Sequence, residues 1–187
     1  MERKKMAHAI GLIAWGYLFL YFNLNLGSLN LIPSWVGYLL MGKAIKELKE
    51  ASSAMGLLGP LCILLAALEL WFWALTLIGI NSQHYLLQLL SLLLAVAALY
   101  FHFQLLTNLA EALGRAGETW RKELLNLRTV RTVLAAVMAL PVLWKEHFAV
   151  TVILAIAGVL VGISISAVLF WIRNALFKSL CPAEEKE

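Results

Sequence analysis

Six long apolar runs, separated by shorter polar segments, dominate the hydrophobic pattern of the chain. They cover residues 6–22, 33–48, 55–80, 85–106, 128–144 and 148–172, and the fourth run is expected to continue as helix to Leu113. A transmembrane helix needs about 20 mainly apolar residues, with a range of about 17–25. The pattern therefore predicts an all-α fold, a polytopic membrane helix bundle of about six transmembrane helices in a single domain over residues 1–187.

Lys and Arg residues are distributed unevenly over the segments between these runs. Of the 15 Lys and Arg residues, all except Lys145 lie in the N-terminal tail, in segments 43–54 and 107–131, or in the C-terminal tail. Cytoplasmic segments of membrane proteins carry an excess of Lys and Arg. Because the rich segments alternate with poor ones, the pattern predicts six crossings with both termini in the cytoplasm.

The composition is typical of a protein that has lipid as its solvent. Hydrophobic residues make up 62% of the 187 residues and charged residues 14%, whereas soluble domains have about 45–50% apolar and about 25% charged residues. The net charge of +4 comes from the segments between the runs, so we expect no nucleic-acid partner. The first run lacks a small-residue cleavage site, which favours a retained helix over a signal peptide.

Two of the predicted helices carry a stripe of small and polar residues. Such residues mark packed faces in lipid, where helices gain nothing from burying apolar surface against each other. The short turn between the two helices makes them antiparallel neighbours, so the stripes are predicted to face each other or a common interior. The stripes are Gly59, Cys62, Ala66, Glu69, Trp73 and Thr76 in the third helix, and His84, Gln88, Ser91, Ala95, Ala98 and His102 in the fourth.

Glu69 lies near the middle of the third helix, far from either polar end. A charged carboxylate at the bilayer centre costs about 2.5–3.5 kcal/mol on insertion scales. The side chain is therefore expected to face the interior, to pair with another group or to stay protonated. Two interpretations stay open: a site for proton or cation coupling or for anchoring a solute, and a carboxyl group that joins helices by hydrogen bonds.

The uncharged segment 23–33 contains Asn, Gly, Ser and Pro residues that interrupt a smooth helix. Non-helical backbone at membrane depth is tolerated only where protein or a watery cavity surrounds it. The segment is either the lip of an outward-facing pocket or an ordinary interfacial turn with an aromatic belt. In the pocket interpretation, the candidate ligand-binding residues are Glu69 with Tyr17, Tyr21, Asn23, Asn25, Tyr38, Gln88 and Ser91.

The last helix contains Gly158, Gly162 and Ser166, which we predict to be helix-packing residues. The first two form a GxxxG step, which lets two backbones approach closely. The step serves either contact with another helix of the same chain or a dimer interface.

Residues 107–127 form an amphipathic cytoplasmic segment in which leucines and Trp120 recur every three or four positions, with a break near Gly114 and Gly117. The segment either docks a soluble partner or anionic lipid, or simply extends the fourth and fifth helices beyond the membrane.

The sequence contains no defensible catalytic, metal-binding or cofactor-binding motif. Its cysteines, Cys62 and Cys181, form no CxxC pair, and there is no Asp. His84 and His102 have too few companion ligands for a metal ion. We therefore expect no metal, no cofactor and no catalytic residue.

One short stretch resembles a signature of small multi-spanning bacterial membrane proteins of unknown function. The stretch runs from Asn23-Leu24-Asn25-Leu26-Gly27 to Leu31-Ile32-Pro33-Ser34-Trp35-Val36-Gly37-Tyr38. Where such proteins carry an acid after the proline, this chain has Ser34. The resemblance implies a bacterial plasma membrane location and supplies no activity.

Three functions compete at this point. The first is a small-molecule binding or transport-type membrane subunit, which fits the short spans, Glu69 and the interrupted segment 23–33. The second is a non-catalytic membrane interaction or assembly protein, with a homo-oligomer or another membrane protein as partner, built on the small-residue stripes and the amphipathic segment. The third is an intramembrane enzyme, which would normally need paired acids, a metal set or a nucleophile–base pair that the sequence does not show.

Overall fold

The computed structural model describes residues 2–22, 25–26, 29–30, 33–49, 53–78, 85–114, 117–139 and 148–179. In chain order the elements are α1 (Glu2–Tyr21), β1 (Asn25–Leu26), β2 (Leu29–Asn30), α2 (Ser34–Leu48), α3 (Ser53–Gly56), α4 (Leu58–Leu77), α5 (Tyr85–Leu113), α6 (Glu118–Met138) and α7 (Phe148–Lys178). The two short strands pair antiparallel, with Asn25 opposite Asn30. The protein is a helical bundle.

The helix boundaries depart from the sequence prediction in four places. Helix α1 begins at Glu2 rather than at residue 6. The predicted third helix, 55–80, is interrupted at Leu57 and divided into α3 and α4. The predicted fifth helix starts at residue 128, but α6 begins at Glu118, because the polar face of the amphipathic segment does not prevent it from continuing the same helix. The last helix continues past residue 172 to Lys178. The end of the predicted fifth helix, with Pro141, lies outside the described residues.

Among the described residues, three helical stretches are long and apolar enough to cross a membrane: Ala54–Leu77, Tyr85–Leu113 and Ala149–Lys178. They indicate a membrane location. The other long helices described do not combine the length and the hydrophobicity of a membrane span. Helix α1 begins with four charged residues, α2 has only 15 residues, and the first half of α6 is polar.

A close contact between helix backbones joins α1 and α2 at two glycines. A Cβ atom added at Gly37 would lie only 2.6 Å from the carbonyl oxygen of Gly16, and one added at Gly16 would lie 2.9 Å from the carbonyl oxygen of Gly37. Glycine lets helices pack at this distance in lipid because it has no side chain between the backbones. The two helices therefore form one closely packed pair.

The buried core is concentrated at the end of the bundle that holds the start of α1 and the end of α7. In the described part of α4, no residue after Ala66 is buried; in α5, none before Leu94; and in α7, none before Gly162. The remaining halves of these three helices expose large apolar side chains, including Ile78, Leu86 and Ile153. Such surfaces are expected where lipid or another membrane protein surrounds a helix.

The long helices extend well beyond the ends of α1 and α2. Tyr21, the last residue of α1, packs on Gly162 of α7, and Gly11 lies beside Arg173, so the two helices are antiparallel. From Gly162, α7 continues to Phe148 for about 21 Å of helix. The end of α1 therefore lies about half-way along α7.

Helix α2 is similarly short in comparison with its neighbour α4. The two helices meet where the Cys62 thiol bonds to the carbonyl oxygen of Tyr38. Beyond this contact α4 continues to Leu77 for about 22 Å, whereas α2 begins at Ser34, only about 6 Å away. The ends of α1 and α2 thus lie deep between the longer helices.

Candidate polar site at the ends of α1 and α2

Three side chains from three helices form a buried hydrogen-bonded chain, here called the Tyr-His-Tyr cluster: Tyr17 of α1, His102 of α5 and Tyr38 of α2. His102 is only 1% exposed. Its Nδ1 lies 3.1 Å from the Tyr17 hydroxyl oxygen, and its Nε2 lies 3.3 Å from the Tyr38 hydroxyl oxygen. A neutral imidazole donates from one ring nitrogen and accepts at the other, so the two hydroxyl groups play opposite roles.

The glycine contact between α1 and α2 explains why the two tyrosines meet at one histidine. Tyr17 directly follows Gly16, and Tyr38 directly follows Gly37. Since these glycines hold the helix backbones together, the next residue on each helix lies at the same level. The ring centroids of Tyr17 and Tyr38 lie 5.2 Å and 5.8 Å from that of His102.

Arg131 of α6 extends the cluster toward the end of α1. Its Nε donates a hydrogen bond of 2.9 Å to the Tyr21 hydroxyl oxygen. Tyr21 is stacked on Tyr17, with 6.5 Å between ring centroids, and the Arg131 guanidinium carbon lies 6.0 Å from the centroid of Tyr17. Arg131 therefore lies beside both stacked tyrosines of α1.

Part of the Arg131 guanidinium group is left without a partner. Its buried NH1 nitrogen has no hydrogen bond, and no acidic side chain among the described residues forms an ion pair with it. Trp35 Nε1, one turn before Tyr38 on α2, is also buried without an acceptor. Buried polar groups are normally hydrogen-bonded, and buried charges are normally paired. The site therefore has hydrogen-bond donors available for a group that accepts hydrogen bonds.

A second arginine lies one turn earlier on α6. Arg128 NH1 donates to Thr107 Oγ1 at 2.9 Å, and its guanidinium carbon lies 4.3 Å from the centroid of the Phe103 ring. Nearby on α5, Gln104 donates to Asn108 Oδ1 at 3.0 Å, while Asn108 Nδ2 is buried without a partner. Polar groups thus continue along α5 and α6 from the cluster toward the end of the bundle that holds the start of α1 and the end of α7.

The α4 side of the cluster carries Cys62 and Glu69. The Cys62 thiol donates to the carbonyl oxygen of Tyr38, with 3.1 Å between sulfur and oxygen. Glu69 lies two turns beyond Cys62 on α4 and is partly buried.

The structure brings together some of the residues predicted from the sequence. Tyr17, Tyr21 and Tyr38 belong to the site, and Glu69 lies at its margin. Asn23 lies outside the described residues. For Asn25 the structure describes the backbone, which belongs to β1.

Gln88 and Ser91 lie apart from the tyrosines along α5. Both are exposed, and the Ser91 hydroxyl donates to the carbonyl oxygen of Gln88. Ser91 is about 16 Å along α5 from His102. The prediction assumed that other helices flank the stripe of the fourth predicted helix along its whole length, whereas the first half of α5 extends beyond the ends of α1 and α2. The stripes lie in the interior only near Cys62, Ala66 and His102.

The sequence pattern indicates no binding role for Arg131 or His102. His102 belongs to the stripe of the fourth predicted helix, and Arg131 is one of the basic residues of segment 107–131 that predict the topology. A signal for Arg131 was present, because the sequence that follows it contains no charged residue through residue 144. Arg131 therefore lies within the apolar run 128–144 and not in the polar segment before it.

The predicted packing residues of α7 contact other parts of the same chain. A Cβ atom at Gly162 would collide with the Tyr21 ring, whereas one at Gly158 would meet Leu134 and Met138 at an ordinary 3.9 Å. The Ser166 hydroxyl donates to the carbonyl oxygen of Gly162 at 3.0 Å. Gly162 thus serves a contact between α7 and α1.

The amphipathic segment also packs on its own bundle. Leu124 is fully buried, and Trp120 meets Trp171 edge-to-face with 5.7 Å between ring centroids. This arrangement favours the interpretation in which α5 and α6 extend past the apolar runs and pack within the chain.

Within the described ranges, no group of three or more His, Cys, Asp or Glu side chains is placed to hold a metal ion. Comparison with family models, with curated proteins and with solved structures finds no match for this chain. The fold and the site therefore define a class only: an all-helical protein with three candidate membrane-spanning helices and a buried polar cluster.

Proposed function

We propose that this chain is a small-molecule binding subunit of transport type in a bacterial plasma membrane. The observation that carries the proposal is the buried Arg131 NH1 nitrogen, which has no partner among the described residues and lies beside the Tyr-His-Tyr cluster. Intramembrane ionisable residues commonly mark solute or ion pathways. A structural arginine would be expected to pair fully within the protein, because an unpaired buried charge is costly.

The proposed topology has six membrane crossings and both termini in the cytoplasm. The alternation of Lys and Arg along the sequence supports it. Since α1 ends about half-way along α7, the segment that joins α1 to α2 begins at membrane depth. Non-helical backbone there requires surrounding protein or a water-filled cavity. We propose such a cavity next to Tyr21, open to the outside of the cell.

The proposed solute is a small molecule with a carboxylate or similar anionic group. Arginine presents a planar set of donors that matches carboxylate geometry, and Arg131 uses Nε for Tyr21 while NH1 is unpaired. Glu69, partly buried on α4 two turns beyond Cys62, is the candidate partner for a positive group on the same solute. A zwitterionic solute would use both charges.

The test is a thermal-unfolding screen of the purified protein against small anions, zwitterions and cations at constant ionic strength. We expect an anionic or zwitterionic solute to raise Tm, and Arg131→Gln to weaken its binding by at least about thirtyfold. Arg121→Gln, on an exposed position of the same helix, is the matched control and should bind as wild type does. Arg131→Lys keeps the charge and should keep part of the affinity.

Two outcomes would contradict the proposal. One is that no anion or zwitterion in the screen changes Tm while the wild-type protein is folded. The other is that a solute binds but its affinity is the same in wild type, Arg131→Gln and Arg121→Gln.

A further inference from the structure

A second site lies in a groove between α2, α3 and α4, which meets the first site at Tyr38 and Cys62. Its volume is about 500 Å³, within the range of about 300–1,000 Å³ that is usual for small-molecule sites. It extends from Lys49 and Gly56 at one end to Tyr38 and Ala66 at the other. Measured along α2, this distance is about 16 Å.

The groove combines an apolar wall with a row of positive charges. Lys43, Lys46 and Lys49 line it at intervals of three residues, and all three are exposed. The opposite wall, on α4, includes Pro60 and Ile63, and Ile63 is 69% exposed. The carboxylate of Glu47, between these lysines on α2, is bonded to His8 of α1 at 2.9 Å and does not line the groove. The lysine charges are therefore not neutralised by that acid.

We propose that this groove binds one anionic phospholipid, with its headgroup on the three lysines and an acyl chain along the α4 wall. Helix α4 belongs to a candidate membrane span, and the lysines lie toward the end of α2 that leads to the start of this span. They are thus placed at a membrane boundary, where each Lys near anionic lipid contributes about a fivefold gain in binding. The proposal does not rest on the solute site. The two sites share Tyr38 and Cys62, but none of the described residues that line the groove belongs to α1, α5 or α6, and the three lysines are not part of the solute site.

Two variants test the row of lysines and the apolar wall of the groove separately. The triple variant Lys43→Gln, Lys46→Gln and Lys49→Gln removes the positive charges. The variant Gly42→Leu fills the groove, and its Cβ would meet only Cys62 Sγ, at an ordinary 3.6 Å. Gly42→Ala is the control for Gly42→Leu, because it changes the same residue without filling the groove. The control for the lysine variant removes three positive charges outside the groove: Arg121→Gln, Lys122→Gln and Lys178→Gln.

The measurement is native mass spectrometry of the full chain, titrated in detergent with phosphatidylglycerol or phosphatidylcholine. We expect one phosphatidylglycerol to bind at least about tenfold more tightly than phosphatidylcholine. The lysine variant should lose this preference, and Gly42→Leu should weaken binding of both lipids. Gly42→Ala and the charge control should bind as wild type does.

Three results would overturn the proposal. The first is equal affinity of the wild type for the two lipids. The second is a preference for phosphatidylglycerol that survives in both the lysine variant and Gly42→Leu, which would place the lipid elsewhere. The third is full competition by glycerol 3-phosphate or inorganic phosphate at millimolar concentration, which would mean that a free anion rather than a lipid occupies the lysines.

Discussion

The contact between α1 and α2 predicts that Gly37→Ala destabilises the protein. A Cβ atom at this position would lie 2.6 Å from the carbonyl oxygen of Gly16, which belongs to the backbone and cannot rotate away. Ordinary contacts of Cβ atoms begin at 3.4 Å, so the two helices must separate by about 0.8 Å. A gap of this size forfeits about a quarter to a half of the dispersion energy of the atoms that face it.

Two opposing effects determine how much stability the protein loses in Gly37→Ala. Overpacking a closely packed contact costs about 1–3 kcal/mol, and replacing Gly by Ala in a helix contributes about 0.5–1 kcal/mol in the favourable direction. We therefore expect a net loss of about 1–2 kcal/mol in the free energy of unfolding. For a chain of this length, this loss corresponds to a fall in Tm of about 2–8 °C.

Thermal unfolding in a mild detergent measures this loss directly. The matched control is Gly42→Ala, the same substitution on the same helix, where the added Cβ would meet Cys62 Sγ at an ordinary 3.6 Å. Its Tm should equal or exceed that of wild type. If Gly37→Ala is as stable as Gly42→Ala, the close backbone contact does not hold α1 and α2 together, and the explanation of how the tyrosines meet is wrong.

Two further predictions concern the site and the topology. His102→Phe should lower Tm by several degrees, because it leaves the Tyr17 and Tyr38 hydroxyl groups buried without their shared partner, at about 1–3 kcal/mol for each unsatisfied group; an unchanged Tm would argue against the hydrogen-bonded chain. In a background without the two native cysteines, single cysteines at Ser28 and Ser82 should react with an impermeant thiol reagent added outside cells, and one at Ser53 should be protected. The reverse pattern would exclude the proposed orientation.

The sequence predicts the helices well because apolar runs and membrane spans share one physical cause. The start of α5 at Tyr85 and of α7 at Phe148 coincide with the starts of apolar runs. The predicted boundaries are less accurate where a helix continues beyond the apolar run, as α6 does from Glu118. Hydropathy marks where lipid surrounds a helix, whereas the helix itself continues as long as its backbone hydrogen bonds do.

The candidate site was harder to predict because it depends on which helices are neighbours. Stripes of small and polar residues correctly indicate Cys62 and Ala66 as interior, but they also include the exposed Ser91 and Gln88. A stripe is a property of one helix and does not show where the neighbouring helices end. The GxxxG step similarly indicates α7, whereas the close backbone contact between α1 and α2 is formed by one glycine from each helix.

The glycine contact connects the fold to the proposed function. Tyr17 and Tyr38 each follow one of the two glycines, and each places its hydroxyl group on one nitrogen of His102. A small separation of α1 from α2 therefore moves the two hydroxyl groups apart, and a single imidazole can no longer bond both of them. If the cluster binds solute, Gly37→Ala should weaken solute binding along with stability, whereas Gly42→Ala should leave both unchanged. Loss of stability with full solute affinity would show that the cluster holds the helices together while the solute binds through Arg131 alone.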